Sequence, residues 1–330
     1  MGDNKMRNHT QILLMSVLAI FASTISYSQT PASAKTSDNN ASSIVDRAID
    51  LAEQDLFDEA LKMIEPLLET SEQTNATAWY VAGYSHKEKF KKEVFMGSSI
   101  SIATSASRSA VGEREIATEQ LIKAYEIAPK SQSISKMSFE ALDYLSKSYM
   151  NDVVRGVRGF KRGMDDEISQ NFNKFVMIRG VLDESEVWTR EEVEVEKNLA
   201  KANRLLLESA TVDSEELFAR IIGHYNRAIE LDGSDYASRY NLAINLYNRG
   251  VSRLKSIDHT TAMFELMEIQ DACVALFEKA LNPMLSAHAM FPKRKETLKG
   301  LTTIYRALSN EQQSEKYKRD LEEVVKAESN

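Results

Sequence analysis

The sequence predicts an all-α protein built as a repeat of helical hairpins, and three observations lead to this prediction. The 330 residues include only 12 glycines and 5 prolines, far below the roughly 12% that these residues make up in an average chain. Sheet-rich folds need many tight turns made of such residues, so the shortage favours long helices. Apolar residues make up 43% of the chain, enough for a core. After residue 43 they recur at helical spacing.

The charge balance and the cysteine content exclude several classes of protein. The chain carries 41 basic and 49 acidic residues, a formal charge of −8, which argues against a nucleic-acid partner bound through bulk electrostatics. The single cysteine, Cys273, excludes an intramolecular disulfide and a Cys-rich zinc site.

The N-terminus has the layout of a secretory signal peptide. Lys5 and Arg7 precede an uncharged apolar run over 12–25, which is too short to span a bilayer comfortably. We expect a signal peptide over 1–28, with cleavage before Gln29 or after Ala34, and an unstructured polar leader over 29–42. An uncleaved anchor is the alternative. No later segment is apolar enough to cross a membrane, so the mature protein is expected to be exported, either periplasmic or secreted.

The first predicted hairpin spans 44–69. Two apolar stripes at helical spacing flank a turn at Gln54-Asp55. The second stripe is a ladder that includes one small residue, which lets two helices approach closely. Its members are Phe57, Ala60, Ile64 and Leu67.

This ladder resembles the second helix of a tetratricopeptide repeat (TPR), in which aromatic, large apolar and alanine positions end in a proline. A sharper copy lies at 115–129, and 78–86 supplies its first helix, with Trp79 and Gly83 at family positions but with departures at Ala82 and His86. The ladder of that copy consists of Ala117, Leu121, Ala124 and Pro129.

Further copies of the pattern follow toward the C-terminus. A ladder over 218–233 is followed by a first helix over 236–250, and Gly250 is expected at the turn that follows it. The partner of this helix spans 272–281, and Pro283 is expected to end that partner helix. The last hairpin joins 295–308 to 311–327, and its strongly charged final helix is typical of a solvent-facing cap. The uneven spacing of the ladders predicts insertions and degenerate hairpins between them, with helices at 134–150 and 189–209.

The domain prediction is a TPR-like helical repeat over 43–330, with sub-blocks 43–150 and 186–330 joined by 151–185. The resemblance implies a superhelix whose concave groove is lined by the first helix of each hairpin and binds an extended peptide or a helix. The candidate partner-binding residues are polar positions of two such helices, namely Tyr80, Tyr84, Lys87, Arg239, Tyr240, Asn241 and Asn245.

Two segments depart from the repeat pattern. The Ser/Ala-rich segment 95–112 is either a tolerated extension or a flap over the groove. The segment 154–163 holds three glycines and a basic patch, and it is either a basic turn joining hairpins or a surface that binds an anion or a partner. The patch consists of Arg155, Arg158, Lys161 and Arg162.

No motif assigns a catalytic activity. The histidines lack metal-ligand spacing, so His86 and His224 are expected to be structural, and Cys273 is expected to be a buried packing thiol. The acidic clusters 165–167 and 191–192 are expected to be solvated helix faces. We therefore expect no cofactor and no metal. The predicted function is a non-enzymatic exported scaffold or adaptor that binds a protein or peptide in the bacterial cell envelope. The alternative is a soluble periplasmic binding protein for a small anionic or carbohydrate ligand.

Overall fold

The computed structural model describes residues 39–70, 74–98, 108–210 and 214–329, and within these ranges it has twelve helices and no strand. The described residues from Ile44 onward form one compact unit. The helices are α1 Asn39–Glu53, α2 Phe57–Leu68, α3 Ala76–Ser98, α4 Arg108–Ile127, α5 Ser133–Arg158, α6 Asp165–Leu182, α7 Thr189–Ser209, α8 Glu215–Leu231, α9 Tyr236–Lys255, α10 Met263–Met290, α11 Lys295–Ala307 and α12 Glu311–Ser329.

Successive helices pair as hairpins. The most extensive contacts join α3 to α4, α5 to α6, α7 to α8, α9 to α10 and α11 to α12, and smaller contacts join neighbouring hairpins. In the first hairpin, Ala48 of α1 and Ala60 of α2 are both fully buried in one shared core. These contacts confirm the predicted fold class, an all-α superhelix of TPR-like helical hairpins. The helices expected at 134–150 and 189–209 are confirmed as parts of α5 and α7.

Two expectations about helix ends are wrong. Pro283 does not end its helix, because α10 continues to Met290. The tertiary contact that follows the proline explains this: Met284 is fully buried and packs against Gly300 of α11, which holds the chain helical despite the missing N–H. At the other end of the chain, α1 begins at Asn39, within the segment expected to be an unstructured leader.

The hydrophobic core divides inside a helix rather than at the expected linker. One buried cluster runs from Val45 to Leu199 and a second from Ala200 to Tyr317, so the division falls within α7. Residues 151–185 do not join two blocks, because they form the end of α5 and all of α6. The buried Phe172 and Ile178 of α6 belong to the first cluster.

Three glycines mark the points where the helices of a hairpin come closest. A Cβ built on Gly83 would lie 2.7 Å from a side-chain atom of Leu121, one on Gly156 2.7 Å from Ile168, and one on Gly250 2.6 Å from Phe277. The packing role predicted for Gly83 is confirmed. Gly250 was expected at a turn, but it lies inside α9 and is buried there. In the part of the chain that the structure describes, no helix is long and apolar enough to cross a membrane.

Candidate functional site

A groove of about 400 Å³ lies between α7 and α9, the first helices of two neighbouring hairpins. These two helices make few close contacts with each other, and the buried Tyr225 of α8 lies between them. The position agrees with the expectation that first helices line the binding groove. The lining residues are Glu194, Lys197, Asn198, Lys201, Arg204, Tyr225, Asn241, Ile244, Asn245 and Asn248.

The α7 wall carries a cationic ladder, Lys197, Lys201 and Arg204, spaced one helical turn apart. Lys197 pairs with Glu194 at 2.6 Å and with Asp235 at 3.3 Å. Burial lowers the pKa of Lys197, but these two carboxylates outweigh the burial and raise it overall. Arg204 pairs with Glu208 at 2.5 Å. Lys201 is exposed and has no ion-pair partner among the described residues, so it is the cation of this ladder that is open to a ligand.

The α9 wall carries an amide ladder, Asn241, Asn245 and Asn248. The Asn245 side-chain amide donates to the Asn241 carbonyl at 2.8 Å, which orients Asn245 along the helix. Each asparagine amide offers both donors and an acceptor, the set that pairs with a peptide backbone. Asp235 caps α9 by accepting from the Ser238 N–H at 2.7 Å and also holds Lys197, so it ties the two walls together.

The structure brings only two of the candidate residues into this groove, Asn241 and Asn245. Arg239 donates to the Gly233 carbonyl at 3.1 and 2.8 Å. Tyr240 stacks on Tyr236 with ring centroids 5.8 Å apart. Sequence reasoning missed the cationic ladder altogether, although its helical spacing within 189–209 was a signal that could have identified it.

The other candidates lie on α3 and form a packed cluster. The rings of Tyr80 and Tyr84 stack at 5.7 Å, and the Lys87 ammonium lies 4.5 Å above the Tyr84 ring. Lys87 also pairs with Glu88 at 2.7 Å. Burial lowers the pKa of Lys87, and only 8% of this residue is exposed. Its ammonium is therefore largely occupied by contacts within the chain.

The basic patch spans the last turn of α5 and the loop before α6, within one hairpin, so it does not join two hairpins as one of the two expectations had it. The reason is that α5 extends to Arg158 and places the buried Gly156 against Ile168 of α6. Arg155 pairs with Asp152 and Arg162 pairs with Glu216 of α8, whereas Arg158 and Lys161 are exposed. In the other unusual segment, residues 99–107 lie outside the described part of the chain.

A half-buried histidine of α8 connects the cationic wall on α7 to α6. His224 of α8 contacts Glu196 of α7 through Nδ1 at 2.6 Å and Asp165 of α6 through Nε2 at 2.9 Å. Both ring nitrogens therefore face carboxylates, an arrangement that favours the doubly protonated imidazolium. Burial lowers the pKa of His224, but the hydrogen bonds to Glu196 and Asp165 outweigh it and raise the pKa. We call this three-helix contact the His224 bridge.

The acidic partner of this bridge corrects an expectation. Asp165 was expected on a solvated face, but only 2% of its surface is exposed. Besides His224, it accepts from Asn203 and from Arg220, the latter at 3.1 Å. The other acids of its cluster, Asp166 and Glu167, are exposed as expected. Tertiary packing buries Asp165 because α7 and α8 both lie against the start of α6.

His86 forms a comparable bridge in the N-terminal half of the unit. Its Nδ1 contacts Glu113 of α4 at 2.5 Å and its Nε2 contacts Glu65 of α2 at 3.1 Å. The structural role expected for both histidines agrees with these contacts. Cys273 is buried and donates its thiol to the Gly250 carbonyl at 3.2 Å, as expected of a packing thiol. Across the described ranges, no cluster of His, Cys, Asp and Glu could hold a metal ion.

The His224 bridge predicts a pH-dependent stability. A pKa raised by folding means that the stabilisation is complete below the pKa of the unfolded chain, about 6.5, and is lost as pH rises through the folded value. We therefore expect His224→Gln to lower the free energy of unfolding more at pH 6 than at pH 9, as measured by urea denaturation. His259→Gln, at an exposed position, is the matched control. An equal loss at both pH values for His224→Gln would contradict the charged bridge.

Comparisons with known proteins place the chain in no family. No family model matches it, and no curated protein matches its sequence. One crystal structure of MamA is 15% identical to it, and the match covers 74% of this chain and 94% of MamA. A second MamA structure is 16% identical, and the match covers 70% of this chain and 99% of MamA. Each has a TM-score of 0.28. The human IFIT1 dimer with PPP-AAAA is 11% identical, with a TM-score of 0.22, and covers 88% of this chain and 73% of its own. At this distance the superpositions identify neither a family nor a function.

Proposed function

We propose that the protein is a non-enzymatic scaffold that holds an extended segment of another protein in the groove between α7 and α9. The observation that carries the proposal is the pair of facing ladders, cationic on α7 and amide on α9. Asparagine amides pair with the backbone of an extended segment, while Lys201 attracts an acidic side chain or a terminal carboxylate. The partner segment is therefore expected to be acidic.

The location of the protein is a second part of the proposal. A basic start, an uncharged apolar run and small residues before Gln29 support export by a signal peptide over 1–28. We propose that the mature chain acts in the bacterial cell envelope. Mass spectrometry of the protein recovered from a periplasmic extract tests this proposal, with a mature chain beginning at Gln29 or Lys35 as the expected result. Recovery of the full-length chain from the cytoplasm would contradict it.

To test the groove, the protein is produced with a photo-crosslinking amino acid in place of Asn245, in the cells in which it naturally occurs. We expect covalent capture of one protein there, and mass spectrometry of the adduct identifies both the partner and its contacting segment. Val187 lies in the loop between α6 and α7 and is 78% exposed, so the same reagent at Val187 is the matched control. Capture at both positions alike, or capture of a basic segment, would contradict the proposal.

Reversing the charge at Lys201 is expected to weaken partner binding about tenfold or more. Lys201→Glu replaces the open cation of the groove by an anion, and like charges at an interface cost on the order of 1–3 kcal/mol. The measurement is the affinity of the captured segment, made as a synthetic peptide, by isothermal titration calorimetry. Lys136→Glu changes the net charge equally on α5, where the side chain is 80% exposed, and is expected to bind as the wild type does. Equal loss in both variants would show that only net charge matters.

A further inference from the structure

The start of α10 presents large apolar side chains to solvent. Met263 is 73% exposed, Phe264 72% and Met267 57%, and Val274 continues the row two turns further on. We call these four residues the α10 stripe. Exposed apolar side chains scattered singly are normal, but a contiguous group marks an interaction surface. Here three of them lie within the first two turns of one helix.

The α10 stripe lies on a different side of the helix from the residues that pack into the core. The buried side of α10 is formed by Cys273, Phe277 and Ala280, and Phe277 packs against Gly250 of α9. At 100° per residue, Met263, Met267 and Val274 lie beside that side of the helix rather than on it. Within the described ranges, α10 makes its main contacts with α9 and α11, and these contacts leave the stripe exposed.

Uncompensated acidic residues surround the stripe. Glu265, Glu268, Asp271 and Glu278 are exposed on α10, and none of them has an ion-pair partner among the described residues. The nearest cations along the chain are Lys279, which is exposed on α10 beside Glu278, Lys255, which is also exposed, and Arg253, which is paired with Glu215. The surface therefore combines an apolar centre with a negative rim.

We propose that the α10 stripe docks a basic amphipathic helix of another protein. Such a helix inserts its apolar side chains among Met263, Phe264 and Met267, and its flanking lysines or arginines pair with the acidic rim. Methionine suits this role because its unbranched, polarisable side chain adapts to the shape of its partner. The acidic rim opposes docking on an anionic membrane. The groove between α7 and α9 is proposed to take an acidic segment, so the two surfaces select partners of opposite charge, and either surface can fail its test independently.

The test uses the full mature chain and a fluorescein-labelled peptide of leucine and lysine, about 18 residues or five helical turns long, with leucine on one face. Fluorescence anisotropy is expected to show binding that weakens as salt is raised, because the flanking pairs are exposed. Phe264→Ser combined with Met267→Ser is expected to weaken binding about tenfold or more. Glu265→Gln with Glu268→Gln and Asp271→Asn is expected to weaken binding and to reduce its salt dependence.

Matched controls distinguish the effect of the α10 stripe from the effect of removing any exposed apolar or acidic side chain. Val187→Ser removes an exposed apolar side chain elsewhere, and Glu322→Gln with Glu323→Gln removes exposed acids on α12. Both are expected to bind the peptide as the wild type does. Equal binding by the stripe variants, or equal binding of a leucine–glutamate peptide, would overturn the proposal. Two other results would also overturn it. One is a dimer in sedimentation velocity that dissociates when Phe264 and Met267 are changed, and the other is binding to phosphatidylglycerol vesicles that the same changes abolish.

Discussion

Gly250→Ala is expected to lower the free energy of unfolding by about 2 kcal/mol. The new Cβ would lie 2.6 Å from Cε1 of Phe277, 3.0 Å from Cζ and 3.1 Å from Cδ1. The ring has little room to retreat, because Phe277 is buried and Tyr247 contacts it with ring centroids 5.4 Å apart. The hydrogen bond from the Cys273 thiol to the Gly250 carbonyl also holds α10 close to α9 at this point. This clash outweighs the gain of up to about 1 kcal/mol from the better helix propensity of alanine.

Two other glycines provide matched controls for this prediction. No atom lies within 4 Å of a Cβ built on Gly223 in α8, so Gly223→Ala is expected to stabilise the protein by about 0.5–1 kcal/mol. Gly300→Ala would meet the end of the flexible Met284 side chain, and an intermediate effect is expected. Urea denaturation followed by circular dichroism measures all three variants. Equal stability of Gly250→Ala and Gly223→Ala would show that α9 and α10 do not approach as described.

Asp165→Ala is expected to cost about 3–5 kcal/mol of unfolding free energy at neutral pH. The substitution removes the carboxylate that His224, Arg220 and Asn203 share, and it leaves the half-buried imidazolium with Glu196 alone. Burial raises the pKa of Asp165, but the hydrogen bonds from Asn203 and His224 outweigh it and lower the pKa overall. The stabilisation is therefore complete above the pKa of the unfolded chain and is lost as pH falls through the folded value.

Asp166→Ala is the matched control for Asp165→Ala, because Asp166 is the next residue of α6 and is exposed. A surface change of this kind is expected to alter the free energy of unfolding by less than about 0.5 kcal/mol. A double-mutant cycle with His224→Ala measures the coupling directly, and the double variant is expected to lose less than the sum of the single losses. Additive losses, or equal losses at the two neighbouring aspartates, would refute the His224 bridge.

Sequence reasoning reached the fold because its signals are local. The ladder around Ala117 and Leu121 and the turn at Gln54-Asp55 both appear where the periodicity places them, and Asp55 takes the positive φ of 64° that a tight turn requires. Between the clear repeats, the sequence predicted helices at 134–150 and 189–209. It did not predict which side chains of these helices line the groove. The ladders of this region lack the alanine and proline positions that define the repeat, so its groove-lining residues were signalled by the helical spacing of their cations and not by the repeat pattern.

Helical character and hairpin order were determined by the sequence alone, because both follow from short-range spacing and from the scarcity of helix breakers. The expectation of a groove lined by first helices came from the resemblance to tetratricopeptide repeats. Tertiary structure decided which residues meet. Lys201 and Asn241 share one groove because two hairpins stack, and Asp165 is buried because α7 and α8 lie over the start of α6. Pro283 remains helical because Met284 packs beyond it. Each outcome depends on contacts between residues on different helices, which periodicity within a single helix does not specify.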